Sequence, residues 1–240
     1  MNRNRINHLY GTMVDILDED GNVIGQREDD DIQNDWYIGH ALDEIYEYQE
    51  IGVWQQDEAE EAWQYGLLPG DYKVWDVNGD GVFQPQDDNV WIGFTEPRYR
   101  LSLSNTFTLL NGLEVSFQLR SYLGHLDRIN ELKHTSYYDR INHYNTPYWT
   151  PDNPLDSYAR LSSTTTASFN VWRSASFVRL QDVSLAYRVP KEVAEKLRLT
   201  SARFYLNFNN LYSFDSWDLW DPETNDPTPL ISTLGVSIVL

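Results

Sequence analysis

The residues best suited to chemistry lie in one short acidic loop. Residues 76–87 spell DVNGDGVFQPQD, which places oxygen ligands at positions 1, 3 and 5 and Gly81 at position 6, where such a loop turns sharply. Hard oxygen ligands that alternate along a tight loop suit Ca²⁺ better than a softer metal. The predicted ligands are the side chains of Asp76, Asn78, Asp80 and Asp87 and the carbonyl oxygen of Val82.

Two interpretations of this loop are open. Position 12 is Asp87, a shorter carboxylate than the Glu of an EF-hand, and no long helical pattern flanks the loop. These features favour a structural ion that rigidifies a loop over a calcium sensor. The alternative is a turn-rich loop that holds no ion.

Aromatic side chains are abundant in the polar segments between the regular ones. Four of them are candidates for stacking on sugar rings or seating a partner protein. They are Trp149, Trp172, Trp217 and Trp220. The alternative is that these rings pack the loops together or lie at a membrane interface.

Patterns that support catalysis are scarce. The chain has no cysteine, its five histidines are scattered, and neither an HExxH motif nor a GxSxG elbow occurs. Acidic pairs are frequent, but in segments this acidic they are typical of solvated surfaces or ion ligands. We therefore expect a protein that is not an enzyme, with a glycosidase-like carboxylate pair as the one enzymatic alternative.

Charge divides the chain into two regions. The net charge is −19, and residues 1–98 carry 5 Lys and Arg against 23 Asp and Glu, whereas residues 99–240 are nearly neutral. Such acidity argues against nucleic-acid binding, because a polyanion would be repelled. We expect acidic loops over residues 1–98, with residues 5–16 as a candidate partial strand, and a β-rich region over residues 99–240.

The second region contains long segments of alternating apolar and polar residues, a pattern that predicts β-strands. The five segments are YRLSLSNTFTL from Tyr99, EVSFQLRSY, FVRLQDVSLAYRV, SARFYLNFNNLY and STLGVSIVL. The alternation slips near Gln181, which predicts a β-bulge. The Asn111-Gly112 pair predicts a tight hairpin turn after the first strand.

Strand length and connection length together favour a membrane protein. Transmembrane β-strands need about 9–11 residues with one apolar face, whereas globular strands average about 5–6. Short and long connections also alternate along the chain, as they do in outer-membrane barrels. We predict an all-β fold of antiparallel transmembrane β-barrel strands. The alternative is a soluble calcium-stabilised β-sandwich, such as a carbohydrate-binding module.

Several motifs occur in a fixed order along the chain. Pro69-Gly70-Asp71 precedes the DVNGDG loop, and Asp87-Asp88, Ile92-Gly93 and Pro97 lead into the first hairpin. Upstream lie IGHAL at residues 38–42 and GVW at 52–54, and downstream lie ASFVRLQDVSL at 175–185 and RFY at 203–205. From about residue 30 to Leu240, this order resembles the C-terminal part of SusC/RagA-family TonB-dependent outer-membrane transporters.

The resemblance implies a set of expectations. Members of that family form 22-stranded barrels with an N-terminal plug, and they import oligosaccharides, glycans or peptides. They pair with a SusD-like surface lipoprotein and draw energy from the TonB complex. For this chain, the resemblance implies the last five or six barrel strands, embedded in outer-membrane lipid of a Gram-negative cell with the loops extracellular. It also implies a fragment without the plug and the signal peptide.

Overall fold

The computed structural model describes residues 3–109, 112–129, 147–161, 163, 170–217 and 219–240. The strands are β1 Met13–Leu17, β2 Val23–Glu28, β3 Glu44–Tyr48, β4 Glu50–Val53, β5 Tyr72–Val74, β6 Asn89–Phe94, β7 Tyr99–Leu109, β8 Leu113–Leu123, β9 Leu126–Arg128, β10 Trp172–Ser174, β11 Phe177–Arg188, β12 Ser201–Asp215 and β13 Ile231–Val239. The α-helices are α1 Ala59–Gln64, α2 Pro85–Asp88 and α3 Lys191–Lys196, and 3₁₀ turns cover Ile32–Asn34 and Gln56–Glu58. Within these ranges, no helix has the length and apolar character needed to cross a membrane.

The chain divides into two compact units. One, called the sheet unit, comprises Glu96–His125 and Ser174–Leu240. The other, called the loop unit, comprises Arg3–Thr95 and Leu126–Arg173. The sheet unit therefore starts close to the boundary predicted after residue 98, and the segment between β8 and β10 is part of the loop unit.

The sheet unit is built on one antiparallel sheet in the order β13-β12-β11-β8-β7. All five predicted long strands are present, with lengths from 9 to 15 residues. Leu110 and Asn111 of the predicted hairpin turn lie outside the described residues, but Leu109 pairs with Leu113, so β7 and β8 form a hairpin. The partial strand expected over residues 5–16 does not join this sheet. Instead, β1 starts at Met13 and pairs with β2 in a separate hairpin.

The connections in this sheet alternate as the sequence predicts. β11 and β12 are joined by residues 189–200, which contain the short helix α3. At the opposite end of the sheet, residues 124–176 join β8 to β11 and residues 216–230 join β12 to β13. The long connections therefore lie at one end of the sheet and the short ones at the other.

The β-bulge predicted at Gln181 is confirmed. The register of β11 against both β8 and β12 shifts between Leu180 and Asp182. Opposite the shift, Asn210 adopts a left-handed conformation with φ 55°, and its side-chain oxygen accepts a 2.9 Å hydrogen bond from Gln181 Nε2. The extra residue restores the alternation, so that Leu180 before the bulge and Val183 and Leu185 after it lie on one face.

The loop unit has its own hydrophobic core between short hairpins. β3 pairs with β6 and β4 pairs with β5. The buried cluster consists of Val53, Tyr72, Val74, Trp149, Ala159 and Val171, with Tyr48 and Phe83 packed against it. Trp149, Ala159 and Val171 thus supply core side chains to an acidic region that begins more than 100 positions earlier.

The Pro69-Gly70-Asp71 motif has a physical explanation in this core. Gly70 has φ +89°, and a Cβ atom there would lie 2.5 Å from the Trp149 ring and 3.0 Å from the Arg160 side chain. Asp71, 3% exposed, accepts a 2.9 Å ion-pair contact from Arg160 Nε and a hydrogen bond from Leu68 N. The motif therefore lets a tryptophan and an arginine pack directly on the backbone.

Candidate functional site

At the centre of the five-stranded sheet, the strand register places only polar side chains in one row across the strands and only apolar side chains in the next. One row across all five strands consists of Thr106, Ser116, Ser184, Asn207 and Thr233. The neighbouring row consists of Phe107, Val115, Leu185, Leu206 and Leu234. Because successive residues of a strand point to opposite faces, the sheet has one polar and one apolar face.

The polar face is hydrogen-bonded across the strands. Ser184 Oγ donates to Asn207 Oδ1 at 2.6 Å, and Asn209 Nδ2 donates to Asp182 beside it. Near the opposite end, Arg203 lies 3.4 Å from Glu114. Asp182 therefore has a partner on the same face.

The apolar face is exposed rather than packed. Leu103 is 53% exposed and Leu234 is 78% exposed, although both lie in the middle of their strands. Their neighbours Leu185, Phe204 and Val236 are also exposed. A contiguous apolar patch of this kind marks a surface that contacts something other than water.

A charged cluster lies on the polar face near the end with the long connections. Arg120 of β8 and Arg179 of β11 are directly opposite each other. Glu223 bridges them, at 2.6 Å from Arg120 Nη2 and 3.1 Å from Arg179 Nη1, and Asp221 Oδ1 lies 2.6 Å from Arg179 Nη2. Both acidic residues belong to residues 216–230, which we call the strap.

The strap also has internal hydrogen bonds that shape its acidic turn. Asp221 Oδ1 accepts a bond from Glu223 N at 2.9 Å, and its backbone carbonyl accepts one from Asn225 N at 2.9 Å. Burial raises the pKa of Asp221, but bonds from Glu223 N, Thr228 and Arg179 outweigh it, so the pKa lies below its ordinary value. Asp221 is therefore ionised whenever an ordinary aspartate is.

The calcium-like loop is folded around its own amides. Asp76 accepts hydrogen bonds from Gly79 N at 2.7 Å, Gly81 N at 2.8 Å and the Tyr65 hydroxyl at 3.1 Å. Asn78 Oδ1 accepts from Asp80 N, and Asp80 Oδ1 accepts from Val82 N. Desolvation raises the pKa of Asp76, but the amide bonds outweigh it and lower the pKa overall.

The acidic residue that closes this loop is Asp88, which the sequence analysis did not include among the predicted ligands. Asp88 is fully buried and accepts hydrogen bonds from Val77 N at 3.0 Å and Gln84 N at 2.7 Å. Asp87, the predicted ligand, is exposed. Among the described residues, no three His, Cys, Asp or Glu side chains converge as a metal-binding group, so any ion here would also need Asn78 and the Val82 carbonyl.

The four candidate tryptophans lie in different environments. Trp149 is buried in the loop-unit core and donates to Gln55 Oε1 at 2.9 Å, and Trp172 donates to Glu47 Oε2 at 2.6 Å. Trp217 and Trp220 both belong to the strap, where Trp217 is 6% exposed and Trp220 is 49% exposed. Among the four, Trp220 is the most exposed.

A bidentate ion pair joins distant parts of the loop unit. Arg173 Nη1 and Nη2 lie 2.8 and 2.9 Å from the two carboxylate oxygens of Glu50. Arg173 also donates to the carbonyl oxygen of Ser157 at 2.7 Å. Glu50 and Arg173 are largely buried, so the pair fixes β10 to β4 through charges that would be costly to leave unpaired.

Comparison with known proteins agrees with the sequence resemblance. No family model matches the chain. TonB-dependent receptor P26 from Formosa agariphila is 27% identical over a match that covers 78% of this chain and 22% of that receptor. Its name describes a receptor and not an enzyme.

Solved structures show the fold. The RagAB peptide importer matches in its open-open state with a TM-score of 0.57 at 19% identity, and in its closed-closed state with a TM-score of 0.59 at 20% identity. Each match covers 85% of this chain and 23% of the solved one. This chain thus spans less than a quarter of each of these proteins. The predicted resemblance to SusC/RagA-family TonB-dependent transporters is confirmed: the chain is similar in sequence to a TonB-dependent receptor and in fold to a RagA-type transporter.

Proposed function

We propose that this chain is the C-terminal barrel portion of a TonB-dependent outer-membrane importer of the SusC/RagA type. Its five long strands form part of a 22-stranded barrel, with the apolar face toward lipid and the polar face toward the lumen. The complete transporter contains a plug in addition to this portion. Oligosaccharides, glycans or peptides are its substrates.

The observation that carries this proposal is the exposed apolar face backed by a continuous polar face. A transmembrane barrel needs both, since lipid meets one side of each strand and water the other. A β-sandwich would bury its apolar face against a second sheet, whereas Leu103 and Leu234 at the centre of this face are largely exposed. The geometry therefore favours the transporter over a carbohydrate-binding module.

Partners follow from the same comparison. We infer a SusD-like surface lipoprotein as the partner on the outer side and the TonB complex as the energy source, coupled through the rest of the transporter. The acidic loop unit would lie outside the cell. Trp220 of the strap, which is 49% exposed, is the candidate among the four tryptophans for stacking on a substrate.

Surface labelling of intact cells tests this assignment. An epitope inserted at the exposed turn between β1 and β2, at Asp20, should be reached by antibody on intact cells that express the complete gene. An epitope in α3 should be reached only after the outer membrane is permeabilised. Labelling of both sites, or of neither, on intact cells would contradict the proposed orientation.

We also propose that the loop at residues 76–87 binds Ca²⁺ as a structural ion. The side-chain oxygens of Asp76, Asn78 and Asp80 are hard donors at alternate positions of five consecutive residues, and the turn is already held by amide bonds to Asp76. Val82 and Asp87 would complete the set.

Terbium luminescence sensitised by nearby aromatic rings tests the calcium proposal. Tyr65 bonds directly to Asp76, so Tb³⁺ in the loop should luminesce on excitation of that ring and be displaced by Ca²⁺. Asp80→Asn should weaken the signal, whereas Asp18→Asn in the β1–β2 turn should not. Equal luminescence from both variants would refute the site.

A further inference from the structure

The strap follows a route that its own hairpin does not require. It joins β12 to β13, which are adjacent in the sheet, and β13 lies on the side of β12 away from β11. Its carboxylates nevertheless reach Arg179 on β11 and Arg120 on β8. Since neighbouring strands lie about 4.8 Å apart, Arg120 is about 10 Å from β12 in the direction opposite to β13. The strap therefore crosses the polar face.

The two arginines form a preorganised receptor for carboxylates. Directly opposed like charges on neighbouring strands are unfavourable unless an anion lies between them. Their guanidinium groups lie over the rings of Tyr122 and Phe177, at 4.6 and 4.7 Å. Arg179 is 5% exposed, so its charge also needs a partner. Glu223 contacts both guanidinium groups, a geometry suited to carboxylate recognition.

We propose that Arg120 and Arg179 form a carboxylate-binding site that the strap occupies in this structure and that a carboxylate-bearing ligand occupies when the strap withdraws. Exchange of one carboxylate for another leaves no guanidinium buried without a partner. The bonds that shape the acidic turn run from Glu223 N and Asn225 N to Asp221, so withdrawal removes the arginine contact that holds their acceptor residue in place. The role of this site in uptake rests on the proposed function, but the binding itself does not.

The strap competes with any ligand as a tethered group at high local concentration. Removing its carboxylates should therefore raise the apparent affinity of the arginine pair for an added carboxylate by about tenfold or more, because the strap no longer occupies the two arginines. The intact chain in detergent micelles, titrated with triglutamate and with trigalacturonate, measures this effect. The double variant Asp221→Asn/Glu223→Gln should bind more tightly than the unaltered chain, and Arg120→Gln/Arg179→Gln should not bind.

Controls separate this site from general charge effects. Glu114→Gln removes a carboxylate that contacts Arg203 on the same sheet and should leave the affinity unchanged. Triglutamine, which has the same backbone and neutral side chains, should bind at least about tenfold more weakly than triglutamate, as expected when charge-assisted bonds are lost. Binding of both probes assigns the site to carboxylates in general. Binding of only triglutamate or only trigalacturonate assigns it to carboxylates of peptides or of sugars, respectively. Binding of neither to the double strap variant overturns the proposal.

A measurement on the unaltered chain covers the case in which the double variant fails to fold. Saturating triglutamate or trigalacturonate should speed hydrogen exchange at the strap amides of Glu223 and Asn225. Unchanged exchange with both probes would contradict displacement. Loss of uptake by the complete transporter while the chain still binds would count against the proposed function alone. Uptake without binding by the chain would count against this site alone.

Discussion

Individual carboxylates in this chain differ in role even when they are adjacent. Asp87 and Asp88 follow each other in α2, yet Asp87 is exposed and Asp88 is fully buried. The helical turn that begins at Pro85 directs only one of them toward the loop, where it accepts bonds from Val77 N and Gln84 N. Asp88 thus holds both ends of the calcium-like loop together.

Replacing Asp88 should be much more damaging than replacing its neighbour. Asp88→Ala leaves two backbone amides without their acceptor and should cost about 1–3 kcal/mol of unfolding free energy. Asp87→Ala should stay within about 0.5 kcal/mol, as surface substitutions usually do. Denaturant unfolding of the detergent-solubilised chain in a chelator, which removes any contribution from Ca²⁺, gives both values. Equal losses would show that the loop is not closed by Asp88.

The titration of Asp221 makes a prediction about the strap. Its pKa is lowered in the folded protein from an ordinary value of 3.8, so its contribution to strap stability is complete above that value. It is lost as the pH falls through the lower folded value. The part of strap amide protection that depends on Asp221, corrected for intrinsic exchange, should therefore be flat from pH 5 to 8 and should decline only below 3.8.

Asp221→Asn provides the matched comparison. The amide cannot ionise, so the part of the acid-induced decline that depends on Asp221 should disappear, while any decline due to other groups remains. Identical acid profiles for the variant and the unaltered chain would mean that Asp221 does not hold the strap through its charge.

At the scale of elements, regular periodicity was predictable from sequence and long-range pairing was not. Alternation over many residues places β7 at Tyr99–Leu109, and its slip locates the bulge at Gln181. By contrast, no local pattern shows that Trp149 packs into the core formed by β4 and β5, or that Arg173 pairs with Glu50. Nor does any local pattern match Asp221 to Arg179, because such contacts depend on chain reversals rather than on spacing.

The Glu50–Arg173 pair gives an element-scale prediction. Removing one partner leaves the other charge largely buried, so Arg173→Ala should destabilise the loop unit by about 3–5 kcal/mol. The double variant Arg173→Met/Glu50→Leu leaves no unpaired charge and should recover part of that loss. Tryptophan fluorescence during denaturant unfolding measures both. If the double variant is less stable than Arg173→Ala, the ion pair itself must stabilise the loop unit, beyond avoiding an unpaired buried charge.

At the scale of the whole molecule, the feature that decides how the chain behaves in water and in lipid is its sheet, which has one polar face, one apolar face and open edges. Five strands leave β7 and β13 as unpaired edges within the described sheet, and the apolar face is exposed. Edges of this length favour pairing with other strands, and the apolar face favours lipid. Because of these edges and this face, we do not expect the 240-residue chain to stay soluble in water, although its net charge is −19.

Adjacent residues on opposite faces provide a test of membrane placement. Leu103→Arg puts a charge at mid-strand on the apolar face, which we propose meets lipid, and should cost about 2–4 kcal/mol of folding free energy in vesicles. Ser104→Arg puts the same charge on the polar side and should cost much less. Folding into phospholipid vesicles, followed by protease protection, compares them. Equal tolerance of both substitutions would contradict the assignment of the two faces.

The central claim is that this sheet belongs in a membrane, and phase partitioning with sedimentation tests it most directly. The expressed chain, when mixed with a detergent that separates from water on warming, should enter the detergent phase. Without detergent it should sediment as aggregates. A monodisperse, detergent-free monomer that stays in the aqueous phase would contradict the account.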